Sequence, residues 1–174
     1  MTLIAEHTIL AHPARGLVEV YDSDAFTGDD DALQRSRAQV VAGNPYHLYL
    51  HSLQPEIQVH ITIRLWEGPQ QPSIDSEGAI ALSLESETGV LVVNQLDYGP
   101  AGDVNLPRPG VYEGYAAWTG REATAAYHRA TMQRAAAEGW DGEQIASAWT
   151  QCPATENYTL NLWFVREPEP EEED

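Results

Sequence analysis

Five carboxylates crowd into ten residues of this chain, in Asp22-Ser-Asp-Ala-Phe-Thr-Gly-Asp-Asp-Asp31. Oxygen donors at that density are the chemistry of a calcium loop, but the spacing departs from one. Phe26 holds the fifth ligand position, Gly28 comes one place late, and Leu33 stands where a bidentate Glu belongs. Two other readings fit the same residues. Asp29, Asp30 and Asp31 front a helix-forming stretch, 32–40, where the helix dipole favours negative charge. The run as a whole, with Asp22 and Asp24, also makes a patch suited to receive Arg or Lys from a partner.

His47-Leu-Tyr-Leu-His51 places two imidazoles on one face of a strand with Tyr49, while Leu48 and Leu50 point the other way. With His60 on the following strand they could form a zinc or iron centre. No His-x-His or Cys-x-x-Cys spacing supports that reading, and His60 alternates with Arg64 as a solvent-facing residue does. Cys152, the single cysteine, lies in Gln-Cys-Pro-Ala without neighbours that would activate a thiolate. No Gly-x-Ser-x-Gly, Gly-x-Gly-x-x-Gly or phosphate loop is present, so no motif calls for a cofactor. A carboxylate pair for glycoside hydrolysis needs no local motif and stays open. Five Trp and eight Tyr could likewise line a sugar platform, although Trp66, Trp118 and Trp163 fall within or at the ends of strands and are more simply core or sheet-edge residues.

The elements that must position these groups are mostly strands. In Ile57-Gln-Val-His-Ile-Thr-Ile-Arg-Leu-Trp66, apolar residues alternate strictly with polar ones, the period of a half-buried strand. Similar runs occur at 17–21, 46–53, 79–84, 90–94, 111–118 and 158–165. Turn chemistry separates them at Ala42-Gly-Asn-Pro45, Glu67-Gly-Pro69, Glu87-Thr-Gly89, Tyr98-Gly-Pro100 and Arg108-Pro-Gly110. The pattern predicts a mainly β fold, an antiparallel β-sandwich of about seven or eight strands, in one domain over residues 1–166. A helical hairpin is predicted at 120–149, before the last strand. Its first helix is Ala-rich and ends at Gly139; Asp141 then caps a second, with Gln144 as capping-box partner and Ile145 and Trp149 as an apolar pair.

Charge narrows the partners. The chain holds 27 acids against nine Arg and no Lys, a net −18, which repels nucleic acid and anionic membranes and favours a basic protein partner. Six of the acids lie in 167–174, an acidic, Pro-containing tail predicted to be disordered. Residues 1–166 still carry 21 acids against the nine Arg, a net −12, so the negative surface belongs to the folded part as well. The lone Cys fits a reducing, bacterial cytoplasm, and neither a signal peptide nor a membrane span of about 18 apolar residues is found.

The order of landmarks resembles the competence protein J family of nuclease inhibitors. An early strand continues into acids (Val18-Glu-Val-Tyr-Asp22), followed by Asp31-Ala-Leu-Gln34 and a small-residue turn into a strand (Ala42-Gly-Asn-Pro-Tyr-His-Leu-Tyr-Leu50). Then come the alternating strand Val59-His-Ile-Thr-Ile-Arg-Leu65, the turn Val104-Asn-Leu-Pro-Arg-Pro-Gly-Val-Tyr112, and Glu156-Asn-Tyr-Thr-Leu-Asn-Leu162. The resemblance covers 17–118 and 154–165; the helical stretch and the tail lie outside it. It implies a non-enzymatic immunity or nuclease-inhibitor protein, and charge points the same way, with carboxylates standing where a nuclease expects phosphates. The contacts expected for a basic nuclease or toxin are Asp22, Asp24, Asp29, Asp30 and Asp31, joined by Glu138, Asp141 and Glu143 of the hairpin. The alternative is a metal- or carbohydrate-binding β-sandwich, with or without enzymatic activity, using His47, His51 and His60 if the ligand is a metal.

Overall fold

A computed structural model of the chain describes residues 2–168. Ten strands form two five-stranded sheets. One sheet runs β1 (Leu3–Ala11), β5 (Val59–Trp66), β10 (Asn157–Arg166), β9 (Gly110–Thr119), β6 (Gly78–Ser86). The other runs β3 (Val41–Asn44), β4 (His47–His51), β2 (Leu17–Asp22), β7 (Val90–Gln95), β8 (Gly99–Asn105). The alternation read in 57–66 is the cause of this layering: Val59, Ile61, Ile63 and Leu65 turn inward and are almost completely buried. They meet Val18, Val20, Leu48, Leu50, Leu91 and Val93 of the second sheet in one apolar cluster. Tyr112 and Tyr158 enter that core with their hydroxyls bonded, to the Arg108 carbonyl at 2.6 Å and to the Glu156 carboxylate at 2.5 Å.

The mainly β expectation holds, but the expectation of seven or eight antiparallel strands needs two corrections. The described residues hold ten strands, because β1, β3 and β8 are additional. One pairing is parallel: β10 lies beside β5 with Asn157 against His60 and Trp163 against Trp66. A parallel neighbour needs a long connection, and here it is the whole run from β6 to the helical hairpin.

Three helices complete the structure. Helix α1 (Asp30–Gln39) covers the outer face of the second sheet, where Ala32 and Leu33 pack on Leu17 and Tyr49. Helices α2 (Arg121–Glu138) and α3 (Gly142–Thr150) are the expected hairpin between β9 and β10, with the predicted capping box at Asp141 and Gln144. Of the acidic tail, Glu167 and Pro168 are described and Glu167 pairs with Arg108; the remainder, for which disorder is expected, lies outside the described residues. Among the described residues no helix is long and apolar enough to cross a membrane.

Candidate functional site

The acidic run 22–31 leaves the end of β2, crosses the outer face of the second sheet and enters α1. It is held at four points. Asp22 is 1% exposed, and its carboxylate accepts from Ser86 Oγ at 2.5 Å, Thr88 Oγ1 at 2.7 Å and the Thr88 amide at 3.2 Å. Its place among the expected partner contacts is therefore corrected: that carboxylate faces inward and closes the connection between β6 and β7. Next, the Ala25 carbonyl accepts from His47 Nδ1 at 3.1 Å. The Asp29 amide then donates to the Tyr49 hydroxyl at 2.8 Å. Last, the Asp29 carboxylate caps α1 through the Ala32 amide and accepts from Asn44 Nδ2, both at 3.0 Å. The Ala32 amide, and after it Asn44, hold the Asp29 carboxyl below the usual carboxylate range.

Between these anchors the loop rises into solvent. Asp24, Asp30 and Asp31 are exposed, and Phe26 at its crown is 71% exposed. An exposed Phe among carboxylates is a signal that charge counting passes over, although the residue stands in plain view in the sequence.

Beneath the loop lies His47, fully buried between the rings of Tyr21 and Tyr49 at centroid distances of 4.7 and 4.8 Å. Because a carbonyl only accepts, Nδ1 carries a hydrogen toward Ala25. Nε2 lies 2.5 Å from Glu19 Oε2, itself nearly buried. Burial, and then the Glu19 charge, raises the Tyr21 hydroxyl above its ordinary range. Both ring nitrogens of His47 are thus engaged, and the possible metal trio is corrected. His60 belongs to the other sheet, and among the described residues no three His, Cys, Asp or Glu gather to hold an ion. His51 shares the outer face with His47, as the alternation requires, but its ring is held toward the neutral form by burial, and further by Arg121 and Arg37.

The hairpin is fixed at its root. The Gly120 amide donates to Glu77 Oε2 at 2.5 Å and Arg121 Nε to the His51 carbonyl at 3.0 Å. Gly120 has φ +71°, and a Cβ there would meet the Thr155 carbonyl oxygen at 1.9 Å, so only glycine makes this turn. Glu56 ties both helices to the body, lying 3.1 Å from His128 Nε2 of α2 and accepting from Trp149 Nε1 of α3 at 3.1 Å, while the two rings stack at 4.9 Å. At the tip, Glu138 accepts from Arg134 Nε and Trp140 Nε1, and Asp141 Oδ1 caps α3. Glu143 is exposed in the first turn of α3.

The eight expected acids are anchored in two separate places. Ser86, which bonds Asp22, pairs with Gly110 at one end of β9, and the hairpin leaves the other end at Gly120. A ten-residue strand at about 3.3 Å per residue separates the two anchors by roughly 30 Å. The loop set (Asp24, Asp29, Asp30, Asp31) is thus anchored by one end of that strand and the hairpin set (Glu138, Asp141, Glu143) by the other.

No family model and no curated protein matches the chain. Solved structures do. The fold is similar to that of ComJ from Bacillus subtilis, an inhibitor of the DNA-degrading activity of NucA, at 11% identity and a TM-score of 0.58, over 94% of this chain and 98% of ComJ. It is also similar to the structure of crocagin biosynthetic gene J, at 15% identity and a TM-score of 0.53, over 95% of this chain and all of the other. The resemblance to the competence protein J family is thus present in the fold. It spans more than the 17–118 and 154–165 that carry it in sequence.

Proposed function

We propose that this protein is a non-enzymatic inhibitor of the nuclease-inhibitor type, which captures a basic protein partner with the loop 22–31. The observation that carries the reading is the anchoring of that loop. Asp22, His47 with Glu19, Tyr49 and Asp29 fix its backbone from below, so Phe26 and the carboxylates of Asp24, Asp30 and Asp31 are presented without an ordering cost on binding. A net charge of −18 steers a cationic partner toward it. Phe26 supplies the apolar anchor that charge alone lacks. The likeness of fold to ComJ supports a nuclease as the kind of partner, and the bacterial cytoplasm is the compartment we propose. The hairpin acids, at the far end, serve as a separate patch or as ordinary solvation.

The test begins with capture of partners from the source lysate on the immobilised chain at rising salt, followed by DNA-degradation assays of whatever is retained. The reading requires a basic protein that degrades DNA, is inhibited by the chain, and associates more slowly as salt rises. Phe26→Ala and the pair Asp30→Asn with Asp31→Asn should each weaken inhibition, while Glu143→Gln should not. Recovery of no basic protein at any salt concentration would remove the reading.

A further inference from the structure

The outer face of the β1–β5–β10–β9–β6 sheet holds a cleft of about 180 Å³, roofed by the segment 67–77, in which the Gln71 carbonyl accepts from the Tyr115 hydroxyl at 2.6 Å. Its floor is Asn157, Thr159 and Asn161 of β10; Arg64 forms one wall, and Ser76 and Asp75 stand at the rim. None of these groups has a part in the inhibitor surface.

The hydrogen-bond directions on the floor are fixed by chemistry. Trp66 Nε1 can only donate, and it donates to Asn161 Oδ1 at 2.9 Å, so the amide nitrogen of Asn161 faces the other way. Asn161 is 4% exposed, and among the described residues its Nδ2 has no hydrogen-bond acceptor. One step along the strand runs a relay. Thr62 Oγ1 donates to Asn157 Oδ1 at 3.1 Å, so its single hydrogen is used and Thr8 must be the donor in the 3.2 Å contact between the two threonines. Asn157 Nδ2 then donates to Thr159 Oγ1 at 2.8 Å, which leaves the Thr159 hydroxyl hydrogen to point elsewhere. Two groups on the same face of β10, two residues apart, therefore have a hydrogen free to donate into the cleft they line. Arg64 adds its guanidinium, of which, among the described residues, only Nε is taken, by Glu6 at 2.6 Å.

Three converging donors call for an anionic oxygen pair. The net −18 and the Glu6 partner of Arg64 disfavour a ligand with net negative charge, and the exposed Asp75 carboxylate offers an acceptor at the rim for a cation. A volume of about 180 Å³ is some six times a water's share of liquid, about 30 Å³, and below the roughly 300 Å³ at which drug-sized pockets begin. We propose that this cleft binds a free α-amino acid, its carboxylate against Thr159, Asn161 and Arg64 and its ammonium toward Asp75.

The experiment is calorimetric titration of the whole chain with the free L-amino acids, together with their α-carboxamides, their des-amino carboxylates and common monosaccharides. At least one amino acid should saturate the protein at millimolar concentration or below, and its carboxamide should not. Asn161→Asp keeps the acceptor that Trp66 needs but turns the inward donor into a repelling oxygen. It should weaken binding tenfold or more, and Thr159→Val by about tenfold, as loss of a hydrogen bond to a charged group does. Asp75→Asn, on the exposed rim, should weaken the amino acid but not the des-amino carboxylate. The proposal is overturned if no amino acid binds, if a monosaccharide binds in their place, or if binding survives Asn161→Asp in a chain whose circular dichroism matches the parent.

Discussion

Replacing His47 by Ala tests the anchoring of the acidic loop without needing a partner. The substitution removes the hydrogen bond to the Ala25 carbonyl and two ring stacks, and it leaves Glu19, 8% exposed, beside an apolar void. Leaving one partner of a buried hydrogen bond unsatisfied costs about 1–3 kcal/mol, and more for a carboxylate, and each lost ring contact adds about 0.5–1.5 kcal/mol. A destabilisation near 4 kcal/mol is a large share of the roughly 5–15 kcal/mol that holds a domain together. With a urea slope of about 2 kcal/mol/M it moves the unfolding midpoint down by about 2 M. Glu19→Gln alone keeps an acceptor for Nε2 and should cost far less. Combined with His47→Ala it should restore part of the loss, because no carboxylate then remains buried alone; coupling of about 0.5–3 kcal/mol is the usual range for such neighbours. Urea unfolding of the four proteins in the cycle measures it. A loss below about 1 kcal/mol for His47→Ala, or additive single mutants, would show that the pair does not secure the loop and would weaken the inhibitor reading with it.

Three further outcomes follow from the buried polar groups and the hairpin root. Burial pushes the Glu156 carboxyl upward, while the Tyr158 hydroxyl, which favours the ionised form, works against that rise; Tyr158→Phe should therefore cost least at pH 4, where the carboxyl holds a proton, and more as pH rises and ionisation is demanded, as denaturant unfolding across that range will show. His51 is held below its ordinary imidazole range, so the unfolded chain takes up a proton that the folded chain refuses. Stability contributed by this group is present above about pH 6.5 and falls as pH drops through the lowered value, and His51→Gln should flatten the unfolding profile in that window. Gly120→Ala, which drives a Cβ into the Thr155 carbonyl at positive φ, should destabilise by at least about 1–3 kcal/mol and lower the thermal midpoint by several degrees.

The sequence shows central strands better than edges. β5 is buried on one face along its whole length, so Val59, Ile61, Ile63 and Leu65 had to alternate with polar residues, and the alternation is legible. The three strands that pattern misses, β1, β3 and β8, all lie at sheet edges. In β1 apolar residues occupy both parities, with Ile4 and Leu10 about half exposed, which blurs the period. In β8 the run Gly-Pro-Ala-Gly reads as a turn, and Pro100 is tolerated there because an edge strand leaves one row of amides unpaired. β3 is likewise built from turn residues. At the site, alternation gave the right face for His47 but not its surroundings: a polar-looking face is taken as wet until a helix and a loop are known to cover it. The burial of Asp22 depends on Ser86 and Thr88, more than 60 residues away, and no local pattern carries that pairing. The hairpin was legible because caps and helix formers are local, whereas its distance from the acidic loop follows from strand order.

The parallel seam between β5 and β10 bears on how the chain reaches this structure. β10 is the middle strand of its sheet, yet about 90 residues lie between it and the β5 partner it joins. Until β10 has emerged from the ribosome, β1–β5 and β9–β6 are two separate ribbons, each exposing an edge and half of an apolar face. Contacts this distant in sequence make for slow folding. The nascent protein therefore passes through a stage in which those unpaired edges must be kept from other chains.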